Sequence, residues 1–143
     1  MSENITAKMT VLVVDDYAEI RSLLRLWLEE RGYRVAEAAD GREAVEVAAR
    51  ERPALILMDV FLPDLDGFDA TLRIRQQEGL RDVPVLATSA YEQSGKAAQL
   101  QIDPAAVGFN GYLAKPFGPG QLDEVLERFA PKRVILASGA GMV

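Results

Sequence analysis

The sequence predicts an α/β domain: a five-stranded parallel sheet with helices on both faces. Two observations carry this. Apolar runs of strand length alternate with amphipathic stretches of helix length five times between residues 9 and 130. The strand runs are also continuously apolar rather than alternating, as strands buried on both faces require. A parallel pair needs a long crossover, and a helix is the usual one.

The elements follow in order. "MTVLVV" (9–14) is rich in β-branched residues, reads as a buried strand, and ends in Asp15 and Asp16. A helix with an apolar stripe of Ile20, Leu23, Leu24, Trp27 and Leu28 comes next and stops at Gly32. "YRVAEA" (33–38) is a second, shorter strand. Asp40 and Glu43 form a capping-box pattern that opens a helix over 41–51, closed by Pro53. "ALILMD" (54–59) is the third strand and "FDATLRIRQQ" (68–77) the third helix. "VPVLATS" (83–89) is the fourth strand, and "YEQSGKAAQLQ" (91–101) a weaker helix broken by Asp103-Pro104. "GYLA" (111–114) is the fifth strand. The last helix, 119–130, places Leu122, Val125, Leu126 and Phe129 on one side.

Composition narrows the chemistry. The 143 residues suit one domain, and 49% hydrophobic residues suffice for its core. Cysteine and histidine are both absent, which excludes disulfides, thiolate chemistry, histidine bases and imidazole-built zinc sites. The net charge of −6 argues against direct nucleic-acid binding. The first ten residues hold no signal-peptide core, and no apolar stretch approaches the ~20 residues that span a bilayer. The expectation is a cytoplasmic domain without membrane insertion.

In open parallel sheets, ligands bind beyond the carboxyl ends of the strands, near the switch in strand order. Asp15, Asp16, Asp59, Ser89 and Lys115 each fall at such an end or just past it. Asp59, at the end of an apolar run, is therefore expected on a rim rather than in the core. Three neighbouring carboxylates repel one another unless a cation lies between them. With only oxygen ligands on offer, that cation is Mg²⁺ or a similar hard ion such as Mn²⁺. With a hydroxyl and an ammonium beside it, the set suits a phosphoryl group, and a carboxylate can be the nucleophile.

At these residues the chain resembles the receiver domain of two-component response regulators. The matching stretches are "VLVVDD", "LILMDVFLPDLDGF", "ATSAY" and "GYLAKPF", each at a strand end, and the likeness runs from about residue 9 to 130. It implies a flavodoxin-like doubly wound sheet of order 2-1-3-4-5 with five helices, a receiver domain over 8–130, and a tail over 131–143. It implies that Asp59 accepts a phosphoryl group from a sensor histidine kinase or phosphotransfer protein. Asp16 would bind Mg²⁺ directly, Asp15 mostly through water, and Asp59 and the Phe61 backbone carbonyl would complete the ligands. Ser89 and Lys115 would hold the phosphoryl group, Lys115 pairing with Asp59 beforehand. Tyr112 occupies the aromatic switch position, and the Lys115–Pro116 bond would be cis. Phe61 and Tyr91 fall where side chains tune dephosphorylation. The surface of the fourth helix, fifth strand and fifth helix would meet a downstream protein target or a second copy in a phosphorylation-dependent dimer.

Each residue has an ordinary reading. Asp15-Asp16 could cap a helix, Asp59 could belong to the turn made by Pro63, Asp64, Asp66 and Gly67, and Ser89, Lys115 and Tyr112 could be a loop hydroxyl, a solvated lysine and a core ring. Chance is a poor account of Asp15, Asp16, Asp59, Ser89 and Lys115 all falling on one rim. A flavodoxin-like cofactor module would need a glycine- or hydroxyl-rich phosphate cradle where this chain has "DDYAE". A haloacid-dehalogenase-type hydrolase would want two aspartates separated by one residue. An interaction module that is never phosphorylated would not need the intact acidic set and lysine.

Two features depart from the family pattern. The stretch between Ser89 and Lys115 is long, and serine stands where threonine is commoner. After Ala130 only "PKRVILASGAGMV" remains. The expectation is a single-domain regulator, with Val134, Ile135 and Leu136 able to pack on a surface and the glycines beyond Ser138 giving flexibility.

Overall fold

A computed structural model describes residues 5–6, 8–89, 108–131 and 135–136, with backbone alone at 5–6 and 135–136. The elements are β1 (Ile5–Thr6), β2 (Thr10–Val14), α1 (Ala18–Glu30), β3 (Arg34–Ala38), α2 (Gly41–Glu51) and β4 (Leu55–Asp59). They continue with α3 (Gly67–Arg75), β5 (Val85–Ser89), β6 (Gly111–Ala114), α4 (Pro119–Phe129) and β7 (Ile135–Leu136). The expected helix at 91–101, Tyr91 and Asp103-Pro104 lie outside the described residues, so four of the five expected helices are seen.

The main sheet is parallel throughout, in the order β3-β2-β4-β5-β6. Counted along the chain, its five strands run 2-1-3-4-5, as expected. Successive strand residues point to opposite faces, and the core divides accordingly. Leu12, Val14, Ile56, Met58 and Val85 pack with α2 and α3 residues such as Val47, Phe68 and Ile74. Val11, Val13, Leu55, Leu57 and Leu86 pack with Leu24, Leu28, Leu122 and Leu126 of α1 and α4. Each such side chain taken fully from water contributes roughly 1.5–3 kcal/mol, so the two faces hold the sheet.

Local signals set the ends. The Asp40 carboxylate accepts from Glu43 N–H at 2.8 Å, and Glu43 reaches back to Ala39 N–H at 2.7 Å. Gly32 ends α1 in the left-handed region, with φ 89°. β5 begins at Val85 rather than 83 because Pro84 has no N–H to give the ladder. Within the α1 stripe Leu24 and Leu28 are buried, whereas Leu23 is exposed. One pairing was not anticipated: β1 and β7 form a short antiparallel ribbon that joins the N-terminal arm to the chain beyond α4.

Candidate functional site

The chain crosses from one side of β2 to the other between β3 and β4, so the crevice lies at the carboxyl ends of β2 and β4. Backbone pairing fixes what stands there. Val14 pairs with Met58, and Asp59 with Thr88. Ser89 pairs with Ala114, and Lys115 N–H donates to the Ser89 carbonyl at 2.6 Å. Asp15, Asp16, Asp59, Ser89 and Lys115 are thus gathered by strand register alone. The Lys115–Pro116 peptide is cis.

Asp15, Asp59 and Ser89 are only 2%, 6% and 1% exposed. Asp59 is therefore at the rim, as expected, but it is also buried, and burying a carboxylate demands partners. Lys115 supplies them: its Nζ lies 3.2 Å from Asp59 Oδ2 and 2.5 Å from Asp15 Oδ2. Asp59 Oδ1 also accepts Phe61 N–H at 3.1 Å. These partners do not restore the ordinary acidity. Burial, aided by the charge of Asp15, outweighs Lys115 and pushes Asp59 up to about 6. Lys115 goes the other way from what burial dictates, because its hydrogen bond to Asp15 and the charge of Asp59 raise its pKa.

Asp16 is exposed beside this pair, and ligand atoms of Asp15, Asp16 and Asp59 lie within 4.8 Å of one another. Three carboxylates against one ammonium leave an excess of negative charge. The oxygen-only donor set fits a small hard dication and offers nothing to a soft one. The Ser89 hydroxyl is buried and has no hydrogen-bond partner among the described residues. Leaving a buried hydroxyl unsatisfied costs about 1–3 kcal/mol, so its position favours a bound acceptor oxygen. Tyr112 lies on β6 and is 45% exposed. Phe61 is partly buried against the α2–α3 side of the core.

Contacts beyond the sequence reading support the corner. Asp15 Oδ1 accepts Tyr17 N–H at 2.9 Å, which makes Tyr17, not an aspartate, the residue that precedes α1. Arg21 donates to the Asp15 carbonyl at 2.6 Å and to Glu37 at 2.9 Å. Glu37 also takes Arg25 at 2.6 Å. The signal for it in the sequence is a basic residue one turn into α1 with an acid on the neighbouring strand.

The site is thus a buried carboxylate, two flanking acids, a lysine and a buried hydroxyl gathered at the switch point of a doubly wound sheet. Comparison identifies the family. The family model for the response regulator receiver domain matches residues 11–127, and the chain belongs to that family. The chain is 36% identical over 132 residues to the alkaline phosphatase synthesis transcriptional regulatory protein PhoP of Bacillus subtilis (strain 168). That match covers 92% of this chain and 52% of PhoP, so the chain spans about half the length of that relative. The fold is similar to chemotaxis protein CheY4 of Vibrio cholerae, with TM-score 0.77 and 38% identity over 85% of this chain and 98% of that one. It is equally similar to the receiver domain of sensor histidine kinase PA1611 from Pseudomonas aeruginosa PAO1, with TM-score 0.76, 40% identity, and coverage of 86% and 98%. That structure has a magnesium ion coordinated in its active site cleft. Among the described residues no helix is long and apolar enough to cross a membrane.

Proposed function

We propose that this protein is a phosphoacceptor switch whose receiver domain spans residues 8–130 and whose Asp59 takes a phosphoryl group from a histidine kinase or phosphotransfer protein. The observation that carries this reading is the state of Asp59: buried, raised in pKa, and the one aspartate of the three that both contacts Lys115 and ends a central strand. A carboxylate oxygen of Asp59 would form the bond to phosphorus as the donor's nitrogen–phosphorus bond breaks and the imidazole leaves. Asp15, Asp16, Asp59 and the Phe61 carbonyl are the groups that would hold Mg²⁺ (or Mn²⁺). When bound, the ion supplies positive charge for the transferring oxygens.

The remaining residues take the charge that arrives. Lys115 already sits between Asp15 and Asp59 and needs little movement to pair with a phosphoryl oxygen. Ser89 offers its unpartnered hydroxyl. Moving Ser89 toward the phosphoryl group would free space beside β5 for the exposed Tyr112 ring, which pairs in register with Ala87 on that strand. The face of β6 and α4 would thereby change for a downstream protein target or a second copy. Phe61 has no side-chain group to position water, and Tyr91 stands at the other tuning position, so the phosphorylated state should be long-lived.

The test is incubation with acetyl phosphate and Mg²⁺ followed by intact-mass measurement. The reading predicts one phosphoryl adduct on the wild type, lost with excess chelator and lost in Asp59→Asn. An adduct that persists in Asp59→Asn contradicts it.

A further inference from the structure

The stretch between β4 and α3, residues 60–66, reaches α2, a helix it does not adjoin in sequence. Asp64 Oδ1 accepts the Gly41 N–H at 2.9 Å, and Oδ2 accepts the Arg42 N–H at 3.3 Å. Arg42 Nε adds a contact at 3.6 Å. Burial pushes the Asp64 carboxyl up, but the N–H groups of Leu65, Gly41 and Arg42 outweigh it and hold the pKa below the ordinary value. The first N–H groups of a helix have no partner within it, and here a loop carboxylate satisfies two of them. Next to it, the Leu65 carbonyl fills the place of a side chain on Gly41: a Cβ there would lie 1.9 Å from that oxygen.

The far end of the loop is fixed as tightly. Gly67 N–H donates to the Val60 carbonyl at 2.8 Å, and a Cβ on Gly67 would lie 2.4 Å from the Asp59 carbonyl oxygen. Between these two anchors stands Phe61, whose N–H reaches Asp59 Oδ1. Phe61, Leu62 and Leu65 pack against the core on the α2–α3 side, and the Asp64 carboxylate adds a polar tie from the loop to the start of α2. α2 already has its own cap in Asp40, so Asp64 is not needed to start the helix.

From this we infer that Asp64 is a positioning residue: it latches the 60–66 loop onto the start of α2 and so fixes the loop that offers Asp59 and the Phe61 carbonyl to a divalent cation. The inference rests on the receiver reading of the site. Groups that orient metal ligands from outside typically change metal affinity about 10–100-fold when removed.

The experiment compares Asp64→Ala, Asp64→Asn and Asp40→Ala with the wild type. It reads amide exchange of residues 60–66 without metal and Mg²⁺ affinity by calorimetry. Asp40→Ala removes a cap of α2 without touching the loop, and so reports what weakening that helix does. Asp64→Ala and Asp64→Asn remove the same charge, but the asparagine oxygen can still accept one N–H. A latch predicts loop exchange faster by about tenfold or more in Asp64→Ala, Mg²⁺ binding weaker by about tenfold, partial recovery of both in Asp64→Asn, and neither change in Asp40→Ala. Unchanged loop exchange in Asp64→Ala, or equal losses in Asp40→Ala, overturns the latch. A wild type that binds no Mg²⁺ overturns the receiver reading instead, and the metal-free exchange then decides the latch by itself.

Discussion

The middles of the strands and their carboxyl ends are built on opposite principles. In the middle, every residue from Val11 to Val14 and from Leu55 to Met58 is apolar and buried, and two helix layers cover them. One or two residues on, burial is just as deep, but the side chains are Asp15, Asp59 and Ser89. The first region gains from being buried. The second loses, since Asp59 is held partly desolvated beside another carboxylate and the Ser89 hydroxyl has no partner among the described residues. Strain of this kind persists only where the rest of the fold outweighs it, and it collects at functional sites.

The largest effect should come from the middle. Ile56, fully buried in β4, should cost roughly 2–5 kcal/mol when cut to alanine, seen as a lower urea midpoint. The rim should answer with the opposite sign. Asp59→Asn should stabilise the metal-free protein by on the order of 2–3 kcal/mol at pH 7, because the carboxylate it removes is pushed up to about 6. The native state binds this proton more tightly than the unfolded chain, so the penalty is absent below the unfolded value near 4 and complete above about 6. The advantage of Asp59→Asn should therefore shrink as pH falls from 7 to 5. An advantage that grows on acidification would break the comparison.

Glu37 offers a smaller contrast on the same sheet. Burial raises its pKa, but Arg25 and Arg21 overcome this and lower it, so its contribution is present above its ordinary value and lost as pH falls through the folded one. At 28% side-chain exposure the pairs are screened, and Glu37→Gln should cost only about 0.5–1 kcal/mol at pH 7, vanishing in acid. Smallest is a kinetic effect: Phe61→Asn, which places a water-orienting amide beside Asp59, should shorten the life of the phosphoryl adduct by about threefold.

How legible each region was follows from the same division. The strand middles were readable because burial on both faces leaves only apolar residues, and those runs carry no competing meaning. The bounds of α2 and β6 came out to the residue, helped by the Asp40 cap and the Gly111 start. The rim residues were readable too, since a carboxylate after "LILM" contradicts its neighbours. What was not readable is pairing across the chain. Lys115 was expected beside Asp59, yet it also contacts Asp15, 100 residues away. Asp64 reads as a turn residue and does lie in the bend at 63–65, but its contact with the first N–H groups of α2 has no local signal. The β1–β7 ribbon joins two stretches without strand-length apolar pattern, and no local signal marks such a pair.

The central claim is that Asp59, among three crowded aspartates, is the one that takes the phosphoryl group. Borohydride reduces an aspartyl phosphate to homoserine, so the modified residue can be located by peptide mass mapping after acetyl phosphate treatment. The account predicts homoserine at position 59 alone, formed only when Mg²⁺ is present. Homoserine at Asp15 or Asp16, or at position 59 to the same extent in excess chelator, would contradict it.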